Sequence, residues 1–273
     1  MIALTPPARK TAIPGDDLTS VVSASRLNCF HSCRLKFYFR YVLELIKPAT
    51  AALFVGKAVH AALQQWSTAR WRGQEHGAPA LRERFLMNWI TAQELEPVSW
   101  DADEDTQQEK AWGLVDMYLR DTPIPAEEKP EAVEVRVEAD LAQHGLPTLV
   151  GIIDLVRPGG RIVDFKTSAA TPNAELVLQR TETQLTAYGL LYRAATGNLE
   201  SGFQLHHLVK TKVPKLVVSE APATTDAQFA KLFRLIESFM DGVEREDYVP
   251  SPGLQCSSCE YFNECRAWKG GAA

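Results

Sequence analysis

The segment Arg161–Ser168, which reads RIVDFKTS, decides the fold prediction for this chain. Its β-branched residues and its alternation predict a strand, in which residues two apart point to the same face. Asp164 and Lys166 therefore lie side by side where an apolar run would carry Val or Ile. Burying such groups costs several kcal/mol unless they bind each other or a metal ion. Taken alone, this short pattern favours a structural Asp–Lys pair at a strand end.

The segment that precedes this strand carries a second acidic residue. Asp154 interrupts the apolar run of residues 148–156, and Pro158-Gly159-Gly160 predicts a turn that joins the two strands as a hairpin. Carboxylates on adjacent strands form a hard oxygen site for Mg²⁺ or Mn²⁺. Lys166 beside such a site can position or help to deprotonate an attacking water and stabilise charge on a phosphorane. These residue types indicate phosphodiester hydrolysis.

Further candidates lie in the neighbouring segments. His60 falls in a helical segment, where it could be a third metal ligand or an ordinary packed histidine. Glu134 lies in the strand before Asp154, and alternation leaves its burial open. Gln184 and Tyr188 are four residues apart and share one helix face. They could hold the lysine or a DNA phosphate, or simply form helix surface.

Hydrophobic periodicity along the chain predicts a mixed α/β core that carries a helical insertion. The predicted helices cover residues 25–41, 55–71, 80–95, 106–119, 174–195 and 226–244, and the predicted strands cover 133–139, 148–156, 161–167, 203–209 and 215–219. We expect residues 1–19 to form a flexible arm and residues 20–273 to form one domain. Within that domain, residues 55–120 are the helical part, 131–220 the catalytic core and 250–268 a metal-binding C-terminal segment.

The charge balance limits how the chain could contact nucleic acid. Its 273 residues include 29 Lys and Arg against 34 Asp and Glu, a net charge of −5, which excludes holding DNA by bulk electrostatics. The most basic segment carries Arg26, Arg34, Lys36 and Arg40 among aromatic residues. This mixture can grip phosphates and stack on unpaired bases. Equally, the aromatic residues could be core and the cations their solvated rim.

The distribution of apolar residues predicts the compartment. No stretch approaches the ~20 apolar residues of a membrane span, and the N-terminus lacks the apolar core of a signal peptide. We therefore expect a cytoplasmic protein in a reducing environment, with no membrane partner.

The five cysteines are placed at the two ends of the chain. Cys256, Cys259 and Cys265 form a compact trio, while Cys29 and Cys33 lie near the start. This spacing predicts a metal site rather than a disulfide, with the fourth ligand supplied from far along the chain. Four thiolates suit either structural Zn²⁺ or an iron–sulfur cluster, and spacing alone does not separate them.

Four short motifs follow one another along the chain. They are Gly56-x3-His60, Gly151-x-Ile153-Asp154, Asp164-x-Lys166-Thr167 and Gln184-x3-Tyr188. In this order and spacing they resemble the RecB-like nucleases of the PD-(D/E)XK superfamily, and with the flanking segments the resemblance spans about residues 23–266. It implies an α/β, restriction-endonuclease-like fold, with a mixed central sheet flanked by helices and an N-terminal helical region.

The resemblance also implies roles for individual residues. His60, Asp154 and Asp164 would bind Mg²⁺ or Mn²⁺, with the backbone carbonyl of Phe165 assisting, and Lys166 would be the catalytic lysine. Glu134 matches an acidic position of the family, and Gln184 and Tyr188 match its helical motif.

The cysteine pattern is similar to that of the iron–sulfur nucleases of the AddB and CRISPR-associated exonuclease branches. The resemblance implies that Cys33, Cys256, Cys259 and Cys265 bind a 4Fe–4S cluster that joins the N- and C-terminal segments, with Cys29 as a spare thiol. Structural Zn²⁺ stays the alternative. Arg34 departs from the family, because many relatives carry proline after the first cluster cysteine.

Together these features predict a metal-dependent DNA nuclease. We expect an exonuclease or end-processing enzyme of DNA repair, recombination or CRISPR-type adaptation, acting on single-stranded DNA or duplex ends. Helicase, recombination or CRISPR-adaptation proteins are the expected partners. The alternative is a non-catalytic DNA-binding or scaffold subunit that retains the nuclease fold and the cluster. The intact set of predicted metal ligands and lysine favours the enzyme.

Overall fold

The computed structural model describes residues 18–270. Of the predicted N-terminal arm, only Leu18 and Thr19 fall within this range, where they form part of a turn. The helices are α1 (Ala24–Ser32), α2 (Arg34–Phe37), α3 (Ala51–Arg72), α4 (Ala78–Leu95), α5 (Glu104–Asp121), α6 (Ala174–Thr196), α7 (Asp226–Glu244) and α8 (Phe262–Ala267). The strands are β1 (Val21–Ser23), β2 (Ala49–Thr50), β3 (Val98–Ser99), β4 (Ala132–Ala139), β5 (Thr148–Arg157), β6 (Arg161–Ser168), β7 (Phe203–Val209) and β8 (Lys215–Ala221).

A mixed six-stranded sheet forms the centre of the fold. Its order is β1-β5-β6-β7-β8, and β4 pairs with the other edge of β5. The β1–β5 and β6–β7 pairs are parallel, whereas β4–β5, β5–β6 and β7–β8 are antiparallel. The predicted mixed α/β class and the predicted order of the long elements are therefore confirmed.

The sheet opens between β5 and β6. These strands pair only where Leu155–Arg157 meets Arg161–Val163. Farther along β5, β1 takes the place of β6 and pairs with residues 148–150. The opening begins at Asp154 and Asp164, so the register alone brings both predicted acidic residues to the mouth of one crevice.

Helices pack against the sheet and form two hydrophobic cores with it. One core contains residues of α1, α6 and α7 together with Leu205 of β7. The other contains residues of α3, α4 and α5 together with Phe165 and Leu208. The predicted helical insertion is therefore part of the packing of the domain, because its apolar faces cover one side of the sheet.

Local sequence signals explain where the longest helices begin and end. The Asn173 side chain accepts a hydrogen bond from the Leu176 N–H and so caps α6, which ends at Gly197 with φ 72°. Thr225 and Gln228 form a capping box at the start of α7. Among residues 18–270, no helix is both long enough and apolar enough to cross a membrane.

The N-terminal helix differs from its prediction. One helix is expected over residues 25–41, but Cys33 adopts an extended conformation with φ −164°, and the chain continues as α2 and a π-helical turn at Tyr38–Val42. Aromatic packing of Phe30, Phe37 and Tyr41 holds both parts together. The spacing of the apolar residues stays helical across Cys33, so it does not predict one extended residue between two helical segments. The prediction of a single helix was therefore wrong at this point.

Candidate active site

The crevice between β5 and β6 brings the predicted acidic residues together with His60. Asp154 Oδ2 accepts a hydrogen bond from the Phe165 N–H at 2.9 Å, and His60 Nδ1 lies 3.5 Å from the same oxygen. His60 reaches this position because α3 lies close to β6. At Gly56, one turn earlier in α3, an added Cβ would lie 3.2 Å from Thr167 Oγ1. The glycine of the first motif therefore permits the close approach that places the histidine.

A hydrogen-bonded network connects Lys166 to α6. Lys166 Nζ donates to Gln184 Oε1 at 3.0 Å, and Gln184 Nε2 donates to Asp164 Oδ1 and to Tyr188 Oη, each at 2.8 Å. Lys166 Nζ also lies 2.8 Å from Asp164 Oδ2. One amide side chain thus binds the lysine, the acid and the tyrosine at once.

Burial controls the electrostatics of this network. Asp164 is 1% exposed, and burial raises the pKa of its carboxyl group above the usual value. The Lys166 ammonium opposes this increase in the pKa of Asp164, and the neighbouring Asp154 adds to it. Burial and the nearby acids also raise the pKa of Tyr188 well above its usual value, so its hydroxyl keeps its proton.

Glu134 joins the site from a strained position in β4. Its φ of 46° lies in the left-handed region, which costs a residue other than glycine about 1–3 kcal/mol. Its neighbours Val133 and Val135 pair with Leu155 and Ile153, so Glu134 lies opposite Asp154. Its charge is also among those that raise the pKa of Tyr188. The strained backbone therefore places a further carboxylate beside the predicted metal ligands.

One atom of the site fits a bound cation. Asp164 Oδ2 is buried, and the Lys166 ammonium lies 2.8 Å from it. A buried carboxylate needs compensating positive charge, which Lys166 supplies and a metal ion beside Asp154 would supplement. Within residues 18–270, no three His, Cys, Asp or Glu side chains are close enough together to hold a metal ion. The donor types, carboxylate and imidazole, suit Mg²⁺ or Mn²⁺.

The match to a family model identifies the superfamily. The model described as "PD-(D/E)XK nuclease superfamily" matches residues 21–266. The chain belongs to this superfamily. Nucleases of the PD-(D/E)XK superfamily generally use divalent metal ions such as Mg²⁺.

Comparison with solved structures supports the same fold. A crystal structure from Eubacterium rectale, provisionally described as an exonuclease, aligns with a TM-score of 0.64 at 15% identity, covering 98% of this chain and 96% of that one. The crystal structure of SSO0001 aligns with a TM-score of 0.37 at 16% identity over 86% of this chain and 94% of that one, which is too distant to carry an argument. No curated protein matches the chain significantly.

The PD-(D/E)XK site includes a residue that the sequence analysis missed. His207 of β7 pairs in register with Lys166 and is 3% exposed. Neither ring nitrogen has a hydrogen-bond partner among residues 18–270. Burial lowers the pKa of His207, on which Asp164 and Lys166 act in opposite directions. The adjacent His206 faces the other core, where its Nδ1 lies 2.9 Å from Tyr118 Oη. A His-His pair in a strand whose only other polar residue is Gln204 was the available signal.

The cysteines separate into a group of four and one buried residue. Cys33, Cys256, Cys259 and Cys265 line one apolar cavity of about 50 Å³. Burial and the other three thiols together raise the pKa of Cys265. Cys29 instead lies in the core beneath α1, and burial raises the pKa of its thiol to about 11. The cavity therefore gathers the four residues that the resemblance implies as cluster ligands.

The predicted DNA-contacting cations of the N-terminal segment make contacts within the chain. Arg34 forms an ion pair with Asp247, and Lys36 forms one with Glu260 at 3.0 Å. Arg26 donates to the Val21 carbonyl at 2.6 Å, and Arg40 lies over the ring of Tyr41. These contacts fix the N-terminal helices, and a role of these four residues in DNA binding stays a prediction.

Proposed function

We propose that this PD-(D/E)XK protein is a Mg²⁺- or Mn²⁺-dependent deoxyribonuclease that hydrolyses phosphodiester bonds. The observation that carries the proposal is the network of Lys166, Gln184 and Asp164 at the mouth of the β5–β6 crevice. A structural ion pair needs no further ionisable neighbours, whereas here the Asp164 carboxylate also interacts with Asp154 and His60, which lie 3.5 Å from each other.

The ion would be held by His60, Asp154, Asp164 and the Phe165 carbonyl. When bound, it supplies Lewis-acid stabilisation of the scissile phosphate and lowers the pKa of a water. The buried environment strengthens these electrostatic effects, because water that would screen the charges is excluded.

The remaining residues position the lysine and the acids. Lys166 stabilises negative charge that develops on the phosphate oxygens and orients the attacking water. Gln184 holds its ammonium at a fixed place, and Tyr188 supports the Gln184 amide. Glu134 adds negative charge opposite Asp154, which favours cation binding at this end of the crevice.

We further propose an exonuclease or end-processing role in DNA repair, recombination or CRISPR-type adaptation, together with helicase, recombination or CRISPR-adaptation proteins. The long helices of the described chain pack on one central sheet, which suits an enzyme that acts on ends rather than one that reads a sequence. This role places the protein in the cytoplasm.

The cysteine cavity supports an iron–sulfur cluster of the AddB and CRISPR-associated type. The four thiols line one cavity. A 4Fe–4S cluster takes one thiolate at each iron, so its ligands stand farther apart than those of one Zn²⁺. Structural Zn²⁺, which would take all four thiolates at one ion, stays the alternative.

The test is digestion of end-labelled single-stranded and duplex DNA with Mg²⁺ or Mn²⁺, with EDTA as the control. We expect metal-dependent shortening of at least one substrate and no cleavage in EDTA. Binding of DNA without cleavage under every metal condition would contradict the proposal and favour a non-catalytic subunit.

A further inference from the structure

The connection between β7 and β8 is strongly basic. Residues 210–215 read KTKVPK, with three lysines and no acidic residue in a chain of net charge −5. Lys212 and Lys215 are exposed, and neither has an ion-pair partner among residues 18–270. Val213 between them is 76% exposed. This hairpin, residues 210–215, therefore presents unpaired positive charge and an apolar side chain to solvent.

Its position in the sheet places the hairpin beside the active site. β6 and β7 are parallel, so their carboxyl ends meet at one edge of the sheet. Lys166 pairs with His207 in this register, and the Lys210 N–H donates to the Ser168 carbonyl at 2.8 Å. From His207 to Lys210 the extended chain rises about 10 Å. The basic residues therefore begin about one or two nucleotides from the catalytic lysine.

Local bonds give the hairpin a defined shape. The Thr211 N–H donates to the Val209 carbonyl at 3.0 Å, and Thr211 Oγ1 donates to the Val213 carbonyl at 2.7 Å. Pro214 fixes its own φ angle. Lys210 is half-buried, and burial lowers its pKa, with Asp101 and Lys110 nearby. A turn held in this way loses little conformational entropy when a ligand binds.

A second exposed cation lies on α6, the helix that follows β6. Arg180 of α6 is exposed and has no hydrogen-bond or ion-pair partner in the described part of the chain. It lies one turn before Gln184, so it shares the helix face that reaches Lys166. Because α6 follows the carboxyl end of β6, its first turns, which include Arg180, begin at the same end of the sheet as the hairpin.

We propose that the hairpin and Arg180 bind a single DNA strand next to the scissile phosphate. This inference rests on the proposed nuclease function and adds the substrate class. The cations suit phosphates, and the exposed Val213 suits the flat face of a base, which is accessible only when the base is unpaired. A duplex would present phosphates alone to this surface and would leave the valine in water.

The experiment measures DNA binding without cleavage. In a Lys166→Ala background, the Kd for a fluorescently end-labelled single-stranded oligonucleotide is determined by anisotropy over a range of salt concentrations. We expect Lys212→Glu to weaken binding about fivefold or more and to reduce the salt slope by roughly 0.7, because one phosphate contact is lost. Val213→Ser should weaken binding of the single strand and leave binding of a duplex of the same sequence unchanged.

The matched control is Lys129→Glu. Lys129 is also exposed, and it lies near Glu131, whose N–H bonds to the Val156 carbonyl at the opposite end of the sheet. Equal effects of the Lys212 and Lys129 substitutions would overturn the inference, and tighter binding of duplex than of single strand would overturn the substrate class. Parallel digestion by the protein with Lys166 intact separates the two claims, because failure to cleave any DNA contradicts the nuclease proposal itself.

Discussion

Gln184 joins the charged pair of Asp164 and Lys166 into a hydrogen-bonded network. Its amide binds Lys166 through the oxygen, and Asp164 and Tyr188 through the nitrogen. An ammonium group on a flexible four-carbon side chain would otherwise sample many positions. The amide therefore reduces the conformational entropy that Lys166 must lose when substrate binds.

We expect Gln184→Ala to lower kcat for DNA cleavage by about ten- to a hundredfold, because the ammonium loses its fixed position. Gln179→Ala, an exposed position on the same helix, is the matched control and should cleave like the unaltered protein. Steady-state digestion together with thermal unfolding checks this. Equal kcat values for the two variants would contradict the positioning role.

For single residues, the sequence indicated which side chains lie together better than it indicated the hydrogen bonds that join them. Asp154, Asp164, His60, Gln184 and Tyr188 converge with Lys166, as their motifs indicate. The strain at Glu134 arises from tertiary packing, so no local pattern shows it. His207 was not predicted as a site residue, because a histidine in a mostly apolar strand is usually a packed core residue.

Close packing between α1 and α7 fixes one wall of the domain. At Gly242 an added Cβ would lie 2.4 Å from the Phe30 ring. That ring cannot move aside, because it packs edge-to-face against Phe37 and Phe239 at 5.3 and 5.2 Å. The glycine is therefore required by the approach of the two helices.

We expect Gly242→Ala to lower the free energy of unfolding by about 1–3 kcal/mol, because the added methyl overpacks this contact. Gly113→Ala in α5 is the matched control, since no atom of the described residues outside its own helix turn lies within 4 Å of its added Cβ. It should be neutral or stabilising by up to about 1 kcal/mol, as alanine favours helix. Urea unfolding measures both, and similar values would contradict this account of the interface.

The sequence predicts a helix or a strand correctly where the repeat of apolar residues lies within the element itself. β7 and α7 have the same bounds in the structure as in the prediction. The opening between β5 and β6 depends on pairing of β1 with β5, a contact between distant segments. With three residues, β1 is too short for alternating apolar and polar side chains to predict a strand.

At the scale of the whole molecule, the C-terminal segment is bound to the N-terminal helices. The Leu35 N–H donates to the Val249 carbonyl at 3.1 Å, and the Tyr261 hydroxyl donates to the Leu45 carbonyl at 2.9 Å. Ion pairs of Lys36 with Glu260 and of Lys47 with Glu264 add to this. These contacts carry Cys33 to the C-terminal cysteines, as the proposed cluster requires.

We expect Cys33→Ala to lose bound iron and sulfide and to unfold at lower temperature, because a cross-link between distant segments is removed. Cys29→Ala is the matched control and should retain iron, since Cys29 lies in the core. Iron, zinc and acid-labile sulfide per chain are measured after anaerobic purification. Stoichiometric zinc without sulfide would contradict the cluster.

We propose that Lys166 and its network make this fold a DNA-cleaving enzyme. The most direct measurement compares Lys166→Ala with Lys129→Ala in Mg²⁺- or Mn²⁺-dependent digestion of end-labelled DNA, with thermal unfolding of both. We expect Lys166→Ala to lose about a hundred- to ten-thousandfold in cleavage rate while it folds and binds DNA. Cleavage by Lys166→Ala at the rate of the control would contradict it.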